Sequence, residues 1–333
     1  MERQTTFADI QSMGRRRATK RDLFLREMAQ AIPWAALVDI VKPHYYPGKR
    51  GRRPAGIERM PRMYFLQLWF NLSDEGVEDA VYDSRAFSEF MGVTFGAGDQ
   101  VPNATTLLKF RRIIESKGLA AEILSCVNSM LEAKGVMMRG GSIVDATFIE
   151  APSSTKNATG ERDPEAHQAK KGNNWHFGYK AHAGVDAGSG LVHTVEVTAA
   201  NVHDVAKAAD LVRDDDEFCY GDSGYLGIEK REEVIADEHL SKMDWRVARR
   251  PSQVDAEKDE DKYFAREQEH RKASVRSKVE HPFLIVKRQF GFAKTRYRGQ
   301  AKTANALTVL FALANVAMWS RAGRSELPAA PPA

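Results

Sequence analysis

The stretch 271–302 reads RKASVRSKVEHPFLIVKRQFGFAKTRYRGQAK, and the rest of the chain is interpreted outward from it. From Arg276 onward it carries eight Lys/Arg residues and a single acid, Glu280. On a helix that turns by about 100° per residue, Arg276, Glu280 and Lys287 share one narrow stripe. A lone carboxylate there indicates either a metal ligand at a phosphate-binding surface or a solvated helix with i,i+4 charge pairs. Pro282 lacks an N–H group and predicts that the helix kinks or restarts there, so the link from Glu280 to Lys287 is less secure than the link to Arg276.

Composition places the chain among ordinary globular proteins with a polyanionic partner. Its 333 residues are 43% hydrophobic and 28% charged, which allows a full core and about two domains. The net charge is only +4, yet residues 1–62 carry 14 Lys/Arg against 6 Asp/Glu. Cys126 and Cys219 stand alone, which predicts neither disulfides nor a zinc site. The polar N-terminus predicts no signal peptide, and the apolar run 307–319 predicts a buried helix and no membrane contact.

Two basic clusters near the N-terminus predict contact with nucleic acid. Nuclear targeting and a merely solvated loop are the alternatives, and the recurrence of two clusters in one region favours DNA. The residues concerned are Arg15, Arg16, Arg17, Lys49, Arg50, Arg52 and Arg53. Between the clusters, Thr19 predicts the start of a helix that reaches about Val41, with a kink at Pro33.

The region from Arg62 to about Ala133 has a helical pattern throughout. A segment over 73–91, a Gly-containing turn and a helix capped near Thr105 or Thr106 are compatible with a helix-turn-helix unit. In that interpretation Lys109, Arg111 and Arg112 form the exposed side that faces the DNA groove. A plain helical spacer domain explains the same pattern equally well.

From Gly140 the pattern changes to that of a sheet. The segment GGSIVDATFIEA predicts a strand with Asp145 inside it, where a carboxylate is costly unless it is paired or bound to metal. Residues 153–174 are polar and basic and predict an exposed loop. Residues 176–201 predict a β-hairpin with its turn at 186–190, on which Lys180 and His182 share a face, either the active one or only a polar one.

Further along, short strands alternate with helices. His203 and Asp204 are predicted to begin a helix, and we favour a cap over a ligand or supporting role there. The segment EFCYGDSGYLG predicts a strand that ends at Asp222, either a helix cap or part of a site, because strand ends of open α/β sheets carry chemistry. A short strand follows over 242–250, and an apolar helix over 303–320.

Three carboxylates therefore stand out: Asp145 within a strand, Asp222 at a strand end and Glu280 on a basic helix. They lie 77 and 58 residues apart along the chain. Carboxylates gathered at one point repel each other unless a cation joins them, and hard oxygen ligands suit two Mg²⁺ or Mn²⁺ ions. The element order predicts an α/β (α+β) fold, a ribonuclease-H-like domain with a mixed central sheet after an all-helical N-terminal domain.

Four segments carry a family resemblance: IVDATFIEAPSSTKN (143–157), NVHD (201–204), YGDSGYLG (220–227) and VRSKVEHPFLIVKRQFGFAKTRYRG (275–299). In these the chain resembles the DDE transposases of bacterial insertion sequences, in particular the family named for insertion sequence five. The resemblance implies that Asp145, Asp222 and Glu280 are the metal-binding catalytic triad. It also implies an N-terminal domain that binds terminal inverted repeats, a dimer or larger assembly on double-stranded DNA, and work on nucleoid DNA in the cytoplasm.

The wider superfamily has a helix signature, Y-(2)-R-(3)-E-(6)-K, whose charged positions contact phosphates near the transposon end. Arg276, Glu280 and Lys287 match it, whereas the tyrosine position is Ala273. We expect further phosphate contacts from Lys278, Arg288, Lys294, Arg296 and Arg298. The segments predicted are a basic arm and helix over 1–62, a helical domain over 63–135, the catalytic domain over 136–320 and a disordered tail over 321–333. A nuclease without strand transfer and a catalytically decayed DNA-binding protein are the alternative functions.

Overall fold

The computed structural model describes residues 17–45, 54–95, 101–137 and 140–325. A layer of helices precedes a mixed sheet. The helices are α1 (Lys20–Ala31), α2 (Trp34–Val41), α3 (Arg59–Trp69), α4 (Asp74–Asp83), α5 (Arg85–Met91), α6 (Ala104–Ser116) and α7 (Leu119–Ala133). The predicted start of the first helix is confirmed, because Thr19 Oγ1 accepts a hydrogen bond from the Asp22 N–H at 3.1 Å. Pro33 does more than kink this helix, since α1 ends before it and α2 begins after it.

The exposed groove-facing side predicted for α6 is wrong for Arg111. Arg111 shares a helical stripe with the buried Leu107 and Ile114, so its side chain points into the helical layer and is 7% exposed. There its guanidinium donates to Asp74 Oδ2 at 2.9 Å and to Gln67 Oε1 at 2.8 Å. Its neighbours Lys109 and Arg112 are exposed as predicted.

Asn103 caps α6, in place of the predicted threonines. Its Oδ1 atom accepts from the Thr106 N–H at 2.9 Å. Asparagine is a strong N-cap residue because its short side chain reaches the free N–H groups of the first turn. The helix therefore starts at Ala104.

In the described part of the chain, six strands form one mixed sheet: β1 (Gly141–Glu150), β2 (His167–Lys171), β3 (Asn174–Asp186), β4 (Val192–Ala199), β5 (Phe218–Gly221) and β6 (Asp244–Val247). Strand β3 pairs antiparallel with β1, β2 and β4, while β5 pairs parallel with β1 and β6. The predicted mixed α/β sheet and its hairpin turn at 186–190 are confirmed. The loop predicted over 153–174 is wrong in its second half, which contains β2.

The segments between β4 and the C-terminus are short. After β4 come 3₁₀ turns at Asp204–Lys207 and Ala209–Leu211, in place of the predicted helix. Later helices are α8 (Glu232–Ala236), α9 (Glu238–Lys242), α10 (Pro251–Asp255), α11 (Asp259–Arg276), α12 (Glu280–Leu284) and α13 (Gln300–Ser325). The basic helix does restart, with Pro282 in the first turn of α12, but the break is the 3₁₀ turn Ser277–Val279 between α11 and α12. It separates Arg276 from Glu280, the link that was predicted to be the more secure one, because proline is tolerated in the first turn of a helix.

Helix α13 is the central helix of the core. Most of the apolar side chains between 306 and 317, among them Leu307, Leu310 and Phe311, are fully buried, and the helix packs against α1, α7 and β4. The hydrophobic core is therefore continuous between the helical layer and the sheet. Within the described ranges, one helix (300–323) has the length and composition to cross a bilayer, and 67% of its apolar window is buried inside the protein. The helix extends past the predicted end at 320, and residues 326–333 of the predicted tail lie outside the described residues.

Candidate active site

Asp145 and Asp222 lie next to each other across the parallel pair β1–β5. The ladder pairs Ile143 of β1 with Tyr220 of β5. Asp145 lies two residues after Ile143, and Asp222 lies two residues after Tyr220. Both side chains are half-buried. Asp222 follows the last residue of β5, where its Oδ1 atom accepts from the Gly224 N–H at 2.8 Å. It therefore caps the following turn while remaining beside Asp145.

The electrostatics of Asp145 reflect this pairing. The pKa of its carboxyl is raised to about 6, mainly by burial and also by the nearby Asp222 carboxylate, although the N–H of Ala146 lowers it. The cations Arg276 and Lys171 also lower this pKa. Two hard oxygen donors that repel each other form an arrangement that a divalent cation stabilises.

Glu280 directly follows a turn, Ser277–Val279, that packs against β1, the strand that carries Asp145. It is the first residue of α12 and is exposed. Arg276, four residues earlier, is close enough to act on Asp145. Over the described ranges no three His, Cys, Asp or Glu side chains gather closely enough to hold an ion. The structure thus brings two of the predicted acids together and places the third on the adjacent turn, a set whose chemistry fits Mg²⁺ or Mn²⁺.

Lys287 lies seven residues after Glu280 and also contacts β1. It lies in a π-helical turn, Ile285–Gln289, and its Nζ atom donates to Thr147 Oγ1 at 3.2 Å. Thr147 shares a face of β1 with Asp145, because alternate residues of a strand point the same way. Burial lowers the pKa of Lys287, and the neighbouring Lys171 lowers it further.

The other cations that we expected to contact phosphates differ in their surroundings. Lys278 donates to the carbonyls of Ala187 and Gly188 at 2.7 and 2.9 Å, and so supports the β3–β4 turn. Arg296 donates to Asn71 Oδ1 at 2.7 Å, and Arg298 to Thr159 Oγ1 at 2.7 Å. Arg288 and Lys294 are exposed, as is Arg17. The remaining predicted N-terminal contacts lie outside the described residues: Arg15, Arg16, Lys49, Arg50, Arg52 and Arg53.

A second polar cluster adjoins the acids and was only partly anticipated. Lys180 donates to Asp204 Oδ1 at 2.9 Å, so Asp204 serves as an ion-pair partner and not as the predicted cap. His182 shares the face of Lys180, as the alternation predicted, and is fully buried, which lowers its pKa to about 4. The hydroxyl of Tyr225 is buried without a hydrogen-bond partner among the described residues, and burial and the nearby carboxylates, including Asp145, raise its pKa.

Tyr225 lies within the family-like segment YGDSGYLG (220–227), but the sequence assigned neither Tyr225 nor Lys171 a role in the site. Tyr225 is one aromatic residue in a short turn, and Lys171 lies in a segment predicted to be a loop. Both are recognised only through what they approach in the folded chain. The sequence did indicate that Lys180 and His182 share a face, because they are two residues apart on one predicted strand.

Two family models match the chain. One is described as "Transposase DDE domain" and matches residues 137–316, which is more than half of the chain. The other is described as "Transposase domain (DUF772)" and matches residues 13–112. No solved structure gives a significant match. The first match contains the two adjacent aspartates and the basic segment with Glu280, and the second contains most of the helical layer.

Proposed function

Because this chain belongs to the transposase DDE domain family and is an enzyme that acts on DNA, we propose that it moves an insertion sequence of the group named for insertion sequence five. It binds the terminal inverted repeats, cleaves a DNA strand at each end and joins the freed 3′-hydroxyl to target DNA. The observation that carries this proposal is the adjacency of Asp145 and Asp222, with the Arg276–Lys287 segment against the same strand.

The sheet topology supports a ribonuclease-H-like catalytic domain. Three antiparallel strands, β1, β3 and β4, are extended on the other side of β1 by the parallel strands β5 and β6. In this arrangement the first acid lies within the first strand and the second follows the fourth strand of that set. Parallel strands bring their carboxyl ends to one edge of the sheet, where a nucleic acid can reach both acids.

Asp145, Asp222 and Glu280 would hold two Mg²⁺ or Mn²⁺ ions. When bound, such ions lower the pKa of water and neutralise charge that develops on the phosphate. The protein itself orients the DNA: Arg276 and Lys287, at the two ends of the basic segment, hold phosphates on either side of Glu280. Because Lys287 is anchored on Thr147, its ammonium keeps a fixed position relative to Asp145.

The exposed cations of the helical layer, including Lys109, Arg112 and Arg17, would contact double-stranded DNA at the repeats together with the basic clusters near the N-terminus. Since both ends of an element must be held at once, the protein acts as a dimer or larger assembly on DNA. We place this activity on nucleoid DNA in the bacterial cytoplasm.

The test is cleavage of labelled DNA that carries the element's end, in Mg²⁺, with nicking and joining to a target plasmid both measured. We expect the wild type to do both and Glu280→Gln to lose more than about 100-fold in each while still binding the ends. Glu267→Gln is the matched control, because Glu267 is an acid on α11 that pairs with Arg271. Nicking without end preference or joining would identify a general nuclease, and binding without cleavage by the wild type would identify a decayed enzyme.

A further inference from the structure

A two-stranded ribbon extends the sheet beyond the end of β1. It consists of residues 167–177, that is β2, its turn and the first four residues of β3. The ladder between β1 and β3 ends at Glu150 opposite Gly178, so the ribbon has no partner strand from β1. An extended ribbon would place its tip about 30 Å from Asp145, because nine residues of β3 separate the partner of Asp145 from the partner of Lys171.

The ribbon is bent back toward β1 instead. The His176 ring stacks on Phe148 with centroids 4.9 Å apart, although the ladder partner of Phe148 is Lys180. Four residues of straight strand would separate these positions by about 13 Å. The bend coincides with Gly178, whose φ is +156° and where a Cβ atom would lie 2.2 Å from the Ile149 carbonyl oxygen.

The contact with Phe148 holds the base of the ribbon over the last residues of β1, the strand that carries Asp145. At the ribbon tip, the Lys171 ammonium is close enough to interact electrostatically with both Asp145 and Lys287. The ribbon therefore lies beside the acids at the end of β1.

The surface of the ribbon combines an aromatic ring with positive charge. Trp175 is 66% exposed and stands opposite Lys170 in the ladder. The stretch from His167 to Phe177 contains no acid, and both Lys170 and Lys171 are exposed. A protein partner would have to supply apolar surface and carboxylates together, whereas a nucleic acid offers base faces and phosphates on one strand.

We propose that this ribbon is a DNA-binding element in which Trp175 stacks on a base of the unpaired strand at the DNA end, while Lys170 and Lys171 contact its phosphates. The inference rests on the proposed function, since it assumes that DNA ends reach Asp145 and Asp222. It adds a contact for single-stranded DNA, which the basic segment around Glu280 does not provide.

The test compares two probes in EDTA, so that no strand is cut. One is a blunt duplex of about 20 base pairs, and the other carries a single-stranded 3′ tail of about five nucleotides that contains 2-aminopurine. We expect the wild type to bind the tailed probe more tightly and to quench its fluorescence. Trp175→Ala should weaken binding of the tailed probe by about 5- to 150-fold and abolish the quenching, while Trp175→Phe should retain most of both.

Two further variants separate stacking from charge. Tyr263→Ala removes another exposed ring (72%) near the start of α11 and should bind both probes like the wild type. Lys170→Ala with Lys171→Ala should reduce the slope of log affinity against log salt by about 1.4 for the tailed probe. Unchanged melting temperatures would show that all variants are folded.

The outcomes distinguish the two proposals. A wild type that binds neither probe contradicts the proposed function itself. A wild type that binds both probes equally, with Trp175→Ala indistinguishable from it, contradicts only the role of the ribbon. The ribbon proposal would also be overturned if Trp175→Ala dissociated an oligomer in light scattering without altering DNA binding, because Trp175 would then belong to a protein interface.

Discussion

Lys287 donates a hydrogen bond to Thr147 at 3.2 Å, and this contact joins residues 140 positions apart in the chain. It attaches the π-helical turn Ile285–Gln289 to the strand that carries Asp145. A cation that is only a solvated helix residue needs no such anchor. The contact therefore places the Lys287 ammonium, which we propose to bind phosphate, on the strand of the candidate catalytic acid.

The first prediction concerns this anchored cation. Lys287→Met keeps the length of the side chain but removes its charge, and we expect DNA nicking to fall by about 100-fold with little change in stability. Lys302→Met is the control, because Lys302 is an exposed cation of the same stretch that is not among the expected phosphate contacts. Rates of nicking on labelled end DNA measure both variants. Equal losses in the two would mean that only the overall charge of the segment matters.

The second prediction is a pH dependence of the stability of the metal-free protein. The pKa of Asp145 is about 6 in the folded state and about 3.9 in an unfolded chain, so the folded protein holds a proton that the unfolded chain releases. This contribution is fully present below about pH 4 and is lost as the pH rises through 6. Above pH 7 the charged Asp145 should therefore lower the free energy of unfolding by up to about 3 kcal/mol.

Asp145→Asn tests this cost directly. In EDTA we expect the variant to be more stable than the wild type at pH 7.5 by about 1–3 kcal/mol and no more stable at about pH 4. Urea unfolding at the two pH values measures the difference. An Asp145→Asn variant that is less stable than the wild type at both would show that the carboxylate is well solvated or paired.

The third prediction concerns Arg111, whose guanidinium is bound by Asp74 and Gln67. Arg111→Ala should lower the free energy of unfolding by about 3 kcal/mol, because it leaves the partly buried Asp74 carboxylate without its partner. Arg112→Ala, at the next and exposed position, should change stability by less than about 0.5 kcal/mol. Urea denaturation measures both. A reversed order would restore Arg111 to the exposed side of α6.

The fourth prediction concerns the bend at Gly178. Gly178→Ala would force a Cβ atom against the Ile149 carbonyl oxygen and should cost about 3 kcal/mol or more. Gly172→Ala, at the ribbon turn, has a φ of +59° but open space around it, and should cost only about 1–2 kcal/mol. Thermal unfolding of the two variants separates steric overlap from backbone strain. Equal costs would mean that the backbone at Gly178 relaxes away from Ile149.

Local features were predictable because they depend on near neighbours. Thr19 marks a helix start through its own side chain, and the alternation around Asp145 marks a strand through the two-residue repeat of its backbone. Pro282 indicated for a similar reason that the basic helix is interrupted, since a missing N–H group acts on its own turn, but it did not place the break before Glu280. The position of Asp222 after a strand followed from the small residues beside it.

The sequence-based predictions were wrong where a side chain contacts a distant part of the chain. Arg111 looks like an exposed cation in a helical sequence, and only the packing of α6 against Asp74 makes it a buried ion-pair partner. Lys171 and Trp175 lie in a polar segment that resembles a loop. Their relation to the acids depends on the bend at Gly178, which brings the ribbon back over β1.

The sequence by itself determined the kinds of elements, the three acids and the basic segment that accompanies them. The tertiary structure decided which of these groups meet. It places Asp145 beside Asp222 and Lys287 on Thr147, and leaves Glu280 exposed after the turn that packs against β1. The reason is physical: periodicity and capping act within a few residues, whereas contacts between groups 77 or 140 residues apart depend on how the sheet and the helices pack around a shared core.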